Sequence, residues 1–500
     1  MIFQITNSRT SIIGADHFIL NVLDKELRYP TAITSAKEAG IELPGEDNGW
    51  DGWVRQLHIP KTINPWFPTG LVHIAKRLSE KFGYGVSLDD QRVRPEGDIP
   101  EIVDIPLRDY QQEAVEAAVA EGRGVLDMPP RSGKTRTMCE IQRQIAVPTV
   151  WIAPTDRIVR QTVATLEELL GKNYAYHLVG SAKAGVAKNS RVVVCTAATA
   201  GGLPAEFYES RQAIIVDEWH HAAAPSYKRI FQNCEHIYFR FGMTGTFFRS
   251  GEDALAMHSL LSKTIYRVTS LDLLRWGYLV PVHAVFIPVP AKRLRGVPSR
   301  GFQGGHGTMG IHDHVVRNQL VAHAALMLYQ TGRKTVVLCG TKKQGYQLQG
   351  ILKAMLPAPP DRAQFKAAEF VSTDMDRKKQ GQVLASFDAG EEVKVLLGTS
   401  ILGEGVDLPT ADALVLARGE KAEVSLTQAM YRVSTAVPGK DHAVVVDFAD
   451  RHHRKLQQHS LERLNVYYNE PTFTVQVLND PREFPIWVNS RLPIFARNAS

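Results

Sequence analysis

The sequence predicts an α/β protein built on two tandem parallel sheets, with a small α/β domain before them and a short extension after them. Three observations predict it. Short apolar runs such as Thr149-Val-Trp-Ile-Ala153, Ala213-Ile-Ile-Val216 and Ala443-Val-Val-Val-Asp-Phe448 alternate with stretches of helical character. Runs without polar alternation belong to strands covered on both faces, which is the condition of a parallel sheet. One Gly-Lys-Thr loop stands in the first series of strands, and the second series has none. Finally, 500 residues exceed what one ordinary core encloses, so several domains are expected.

Composition bounds the class. Hydrophobic residues make up 44% and charged residues 22%, which are ordinary globular values. No apolar run approaches about 20 residues, so no membrane span is expected. Cys139, Cys195, Cys234 and Cys339 are far apart in sequence and fit buried reduced thiols in a cytoplasmic protein, not a disulfide or zinc framework. The net charge of +6 and pI near 9.0 are compatible with a polyanionic partner.

Residues 1–100 form the leading unit. Trp50-Asp-Gly-Trp53 and Phe67-Pro-Thr-Gly-Leu71 precede a helical pattern over Val72–Phe82, and Gly83-Tyr-Gly-Val-Ser-Leu88 turns into a strand. Its acids and histidines are scattered, so it reads as a recognition module or a structural cap. No aromatic-rich stacking stripe is evident in the chain. The polar, proline-bearing stretch 91–106 marks the boundary to a second unit, 101–281. A third spans 282–460, and 461–500 is a C-terminal extension with a strand-like Thr472–Val477. The Gly-, Arg- and His-rich stretch 296–310 reads as a mobile basic loop.

The chemistry starts at Met128-Pro-Pro-Arg-Ser-Gly-Lys-Thr135, between a strand end and a helix. Backbone N–H groups and the helix N-terminus converge there on an anion. Lys134 would reach the β- and γ-phosphates of a nucleotide, and the Thr135 hydroxyl would help hold Mg²⁺. Downstream, Asp217-Glu-Trp-His-His221 follows a buried strand, and carboxyl ends of parallel strands are where such sheets hold ligands. Asp217 would hold Mg²⁺ through its water shell, and Glu218 would orient and deprotonate the attacking water. His220 would hydrogen-bond between this site and a neighbouring motif.

The ordered set resembles the superfamily 2 helicases and translocases over roughly residues 105–450. Leu107-Arg-Asp-Tyr-Gln-Gln112 resembles their adenine-reading segment, with Arg108 and Gln111 at the matching positions. Met128–Thr135 resembles motif I, Pro154–Gln161 motif Ia, Cys195-Thr196 motif Ib and Asp217–His220 the DExH box. Met243–Thr246, Leu397–Pro409 and Gln428–Arg432 resemble motifs III, V and VI. Within the superfamily, the Trp-Asp-Gly, Phe-Pro-Thr-Gly-Leu, Leu-Arg-Asp-Tyr-Gln and Gly277-Tyr-Leu-Val-Pro281 elements are similar to the UvsW- and XPB-like branch of phages and DNA repair.

The resemblance implies two RecA-like domains using ATP and Mg²⁺. It places Ser132, Gly133, Lys134, Thr135, Gly405 and Asp407 on the nucleotide. Gln428 and Arg432 would sense the γ-phosphate, and Thr155, Arg157, Thr196, Lys342 and Thr399 would grip nucleic-acid phosphates. DNA, possibly branched, is implied as the partner. Three departures stand out. Pro130 and Arg131 replace the usual Thr-Gly in motif I, Phe247 follows motif III where Pro is usual, and motif VI has Tyr431 for Gly and Thr435 for its second Arg. The last leaves open whether Arg432 or another arginine is the finger, or whether the motor is slow. Two rival readings are a motor subunit of a nuclease or restriction complex, and an ATP-gated DNA clamp with little turnover.

Overall fold

The computed structural model describes residues 1–30, 53–99, 105–180, 190–245, 254–290, 305, 307–356, 367–390, 392–399, 402, 408–419 and 423–491. Its contacts divide it into two units, residues 1–129 with 133–268, and 130–132 with 269–500.

The first unit opens with a small four-stranded sheet. Its strands β1 (Ile2–Ile5), β2 (Arg9–Ile13), β5 (Trp66–Pro68) and β6 (Ser87–Asp90) are ordered β5-β2-β1-β6, and β3 (Arg28–Pro30) pairs separately with β4 (Trp53–Arg55). Period-two alternation turns Phe3, Ile12 and Phe67 inward, where Leu20, Leu23 and Leu71 meet them in one core. Side chains fasten this small sheet to the larger one in the same unit. Arg123 donates to the carbonyls of Leu261 (2.7 Å) and Asn7 (2.9 Å), and the Asn7 amide donates to the His236 carbonyl at 2.8 Å. Arg92 and Arg94 lie over the rings of Tyr238 and Phe239, each at 5.4 Å.

The larger sheet is seven-stranded and all-parallel. Its strands are β7 (Arg123–Asp127), β8 (Thr149–Ala153), β9 (Ala175–His177), β10 (Val192–Thr196), β11 (Ala213–Val216), β12 (Phe239–Thr244) and β13 (Thr264–Arg267). The order β13-β7-β12-β11-β8-β10-β9 sets β7 and β11 on either side of β12. β7, β8, β11 and β12 are buried along their whole length, as the apolar runs of β8 and β11 require, and β7 and β12 bury Arg123, Asp127 and Arg240 with them.

The second unit repeats the plan. β14 (Val282–Pro288), β15 (Thr335–Leu338), β16 (Ala368–Val371), β17 (Val395–Gly398), β18 (Ala413–Leu416), β19 (Ala443–Ala449) and β20 (Phe473–Val477) make a parallel sheet ordered β16-β17-β15-β18-β19-β14-β20. The position-461 boundary expected from sequence falls inside the Arg454–Tyr468 helix, and β20 beyond it pairs with β14 in the same sheet. Two parallel sheets wrapped by helices are the architecture that the sequence predicts.

This unit also buries an ionic network. Arg317 donates through Nε to Asp450 at 2.8 Å, and Arg463 grips Asp447 with Nε at 2.9 Å and Nη2 at 3.1 Å. The same guanidinium groups donate to the carbonyls of Ala417 and Gly419, the backbone just beyond β18.

Candidate nucleotide site

The phosphate loop leaves β7 at Met128, whose N–H donates to the Thr244 carbonyl at 2.9 Å. Met128 is fully buried, and the left-handed turns of the loop fall at Arg131 (φ 71°) and Gly133 (φ 79°) instead. No special backbone conformation is therefore asked of position 128, which is why methionine is tolerated there. The helix Lys134–Ile145 begins directly after Gly133. Lys134 Nζ donates back to the Met128 carbonyl at 3.2 Å, so its amine lies over the hollow of the loop.

Arg108 and Gln111 join this loop. Arg108 caps the Asp109–Glu121 helix, and the Gln111 side-chain oxygen accepts its N–H at 2.9 Å. That bond turns the Gln111 amide nitrogen toward the loop, where a Cβ built on Gly133 would stand 2.3 Å from it. The Arg108 guanidinium is held by the Tyr110 hydroxyl at 2.9 Å.

Asp217 follows β11 and is buried. Burial first, and the Glu218 charge second, push its carboxyl up to about 7, while the nearby Lys134 ammonium pulls the other way. Glu218 donates its N–H to Asp217 Oδ1 at 2.8 Å and itself holds a left-handed backbone, φ 48° and ψ 56°. Its carboxylate lies 3.4 Å from His220 Nδ1, so His220 attends the site's own acid. Burial holds His220 down to about 4, making it neutral at pH 7.

Sequence reading missed Asp127. It ends β7 beneath the loop, is buried, and has its carboxyl raised by burial against the opposing charges of Arg267 and Lys134. Arg267 Nε lies 3.2 Å from it. Lys134 therefore answers two buried carboxyls, Asp127 and Asp217. The available signal was an acid closing an apolar strand directly before a phosphate loop.

The nucleotide fits what is present. A side chain at Gly133 would meet the Gln111 amide and strain a left-handed turn, the Lys134 amine lies over the loop, and a buried carboxyl of raised pKa, Asp217, stands nearby as a partner for a cation. Ser132 is buried and Thr135 half-buried in the first helical turn.

The remaining expected residues are dispersed. Thr155 and Thr196 cap helices after β8 and β10, accepting from Ile158 N (3.4 Å) and Thr199 N (3.3 Å), and Arg157 is exposed. In the second unit, Lys342 makes two 2.7 Å contacts to Asp374, and Thr399 is half-buried after β17. Gln428 and Arg432, four residues apart, share one side of the Glu423–Arg432 helix. Thr435 forms a bridge with Leu279 and presents no charge. Gly405, Asp407, Thr246, Phe247 and most of the 296–310 loop lie outside the described residues.

Comparison with known proteins decides the family. Residues 104–249 match the profile of the type III restriction enzyme res subunit, and residues 317–436 match the helicase conserved C-terminal domain. The chain belongs to the superfamily 2 helicases and translocases. Among the relatives of this superfamily 2 protein is the ATP-dependent DNA helicase uvsW of enterobacteria phage T4. It is 21% identical over 463 residues, covering 84% of this chain and 89% of the phage protein. The DNA 3'-5' translocase XPB2 of Sulfurisphaera tokodaii is 23% identical over 354 residues, covering 66% of this chain and 78% of its own. The fold is shared with a fragment of an HsdR subunit of a type I restriction enzyme from Vibrio vulnificus. There the TM-score is 0.54 at 19% identity, over 77% of this chain and 70% of that one.

Proposed function

We propose that this protein is an ATP-dependent DNA helicase or translocase that moves on or remodels DNA, branched DNA included, in recombination, repair or replication. The carrying observation is Lys134 poised against the buried carboxyls at the ends of β7 and β11, with Glu218 beside them.

In this reading Gln111 and Arg108 hold the base, and the loop amides with Ser132, Gly133 and Lys134 hold the phosphates. Thr135 and Asp217 hold Mg²⁺, which neutralises phosphate charge. Lys134 must leave the Met128 carbonyl to reach the nucleotide. Glu218 takes the proton of the attacking water, and neutral His220 accepts or donates a hydrogen bond beside it without adding a competing positive charge. Gln428 and Arg432, with Gly405 and Asp407, read the γ-phosphate from the second sheet, and Arg432 is the finger in place of Thr435.

Thr155, Arg157, Thr196, Lys342 and Thr399 contact DNA phosphates. The Lys342–Asp374 pair is solvent-exposed and therefore weak, so a phosphate can displace the aspartate. Phosphate contacts carry no sequence preference, and binding should weaken steeply with salt. The leading sheet acts as a DNA-recognition module. The setting we propose is the cytoplasm of a bacterial or phage-infected cell.

Steady-state ATP hydrolysis by the wild type and Glu218→Gln tests this, without polymer and with single-stranded DNA, duplex, four-way junction and RNA. Stimulation by DNA that vanishes in Glu218→Gln is expected. ATP-dependent DNA binding without turnover on any polymer would leave only a clamp.

A further inference from the structure

The leading sheet carries an aromatic stack that sequence reading did not foresee, because its two rings are eight residues apart and meet only when a hairpin closes. His58 and Trp66 face each other across that hairpin, exchanging backbone hydrogen bonds of 2.8 and 2.9 Å. Their rings stack at 3.9 Å between centroids with 13° between planes, and the Arg9 guanidinium lies over the same indole at 4.6 Å. The tip between them, residues 59–65, leaves Ile59 54% and Ile63 60% exposed, with Lys61 exposed between them.

The setting favours a nucleic acid over an apolar protein partner. Arg9, Lys61 and Lys228 supply positive charge, and Arg9 pairs with an exposed Glu235 at 3.4 Å, a pairing a phosphate can replace. Burial, then the charges of Arg9 and Lys228, hold His58 below the ordinary histidine range, so the exposed ring is an uncharged aromatic surface at pH 7. Lys228 belongs to the Pro225–Gln232 helix, which packs on the Ala197–Gly201 helix following Thr196. The stack is thus linked to the phosphate-gripping side of the ATPase sheet through one helix.

We propose that the His58–Trp66 hairpin is a stacking site for an unpaired base of a DNA strand, with that strand's phosphates lying on Arg9, Lys61 and Lys228. The inference rests on the proposed DNA function and adds what the leading sheet recognises, a base freed from its partner at a fork or junction. Stacking of this kind tolerates any base, since each has a π-face.

The test uses the full chain without nucleotide, so that it does not depend on ATP turnover. A single strand carrying 2-aminopurine, the same strand with abasic sites, and a duplex are titrated with wild type, His58→Ala and His58→Phe. Wild type should quench the 2-aminopurine. His58→Ala should lose the quench and bind the intact strand about tenfold more weakly while holding the abasic strand unchanged. His58→Phe should restore both. Undiminished quench in His58→Ala, or equal weakening on the abasic strand, would overturn the stacking site while leaving DNA binding intact. Failure of the wild type to bind strand or duplex would overturn the DNA reading as well.

Discussion

Glu218 donates its backbone N–H to the carboxylate of Asp217 at 2.8 Å, and it does so from a left-handed conformation that a glutamate rarely adopts. Such a conformation costs an L-residue roughly 1–2 kcal/mol, which glycine avoids. Glu218→Gly should therefore leave thermal stability equal or raise it by up to about 1 kcal/mol, while hydrolysis falls at least about 100-fold. Melting curves and ATPase rates on the same preparation check both halves. A strongly destabilised Glu218→Gly would mean that the side chain, not the turn, holds this corner.

Asp217 makes stability depend on pH. Its carboxyl titrates near 3.8 ordinarily and near 7 in the fold. Between these values the folded chain keeps a proton that the unfolded chain has released. The resulting stability is complete below about pH 4 and is lost as pH rises toward 7. Asp217→Asn lacks the slope and should be more stable than wild type at pH 8, by about 2–4 kcal/mol. The gap should close toward pH 5 in denaturant melts of nucleotide-free protein.

Gly133→Ala sets a methyl group 2.3 Å from the Gln111 amide at φ 79°. Gln111 must swing away or the loop must open. A loss of about 1–3 kcal/mol in stability is expected, together with at least tenfold weaker binding of a fluorescent ATP analogue. Gln111→Ala should relieve the clash in the double variant without restoring the affinity.

Thr435 occupies the place of the missing motif VI arginine, and its hydroxyl is buried with no hydrogen-bond partner among the described residues. Thr435→Val should be neutral or stabilising by about 1 kcal/mol, and should leave kcat unchanged. Arg432→Ala should lower kcat by about 10³-fold or more. A fall in kcat for Thr435→Val would assign the hydroxyl a part in turnover.

Asp450 stands between two buried guanidinium groups, 2.8 Å from Arg317 and 3.6 Å from Arg463. Asp450→Ala leaves both without that charge and should cost about 3–5 kcal/mol, read as a lower urea midpoint.

The sheets were legible because buried parallel strands write themselves as unbroken apolar runs, so Ala213–Val216 and Thr149–Ala153 were found within a residue. Lys134, Asp217 and Glu218 were legible because a loop and a strand end fix them locally. Asp127 was passed over because its burial depends on β13, which is a distant part of the chain. The His58–Trp66 stack was invisible for a related reason: a ring pair set by hairpin closure has no helical or alternating period. Met128 and Thr435 departed from pattern harmlessly in backbone terms, since neither position needs a left-handed turn.

The ties made by Arg123, Asn7, Arg92 and Arg94 join the leading sheet, and the chain that leaves it after β6, to the sheet that carries the phosphate loop. A sheet mounted that way behaves like a blade riveted to its handle. The leading sheet and the phosphate-loop sheet belong to one packed unit, so a displacement of the second is passed on whole to the first.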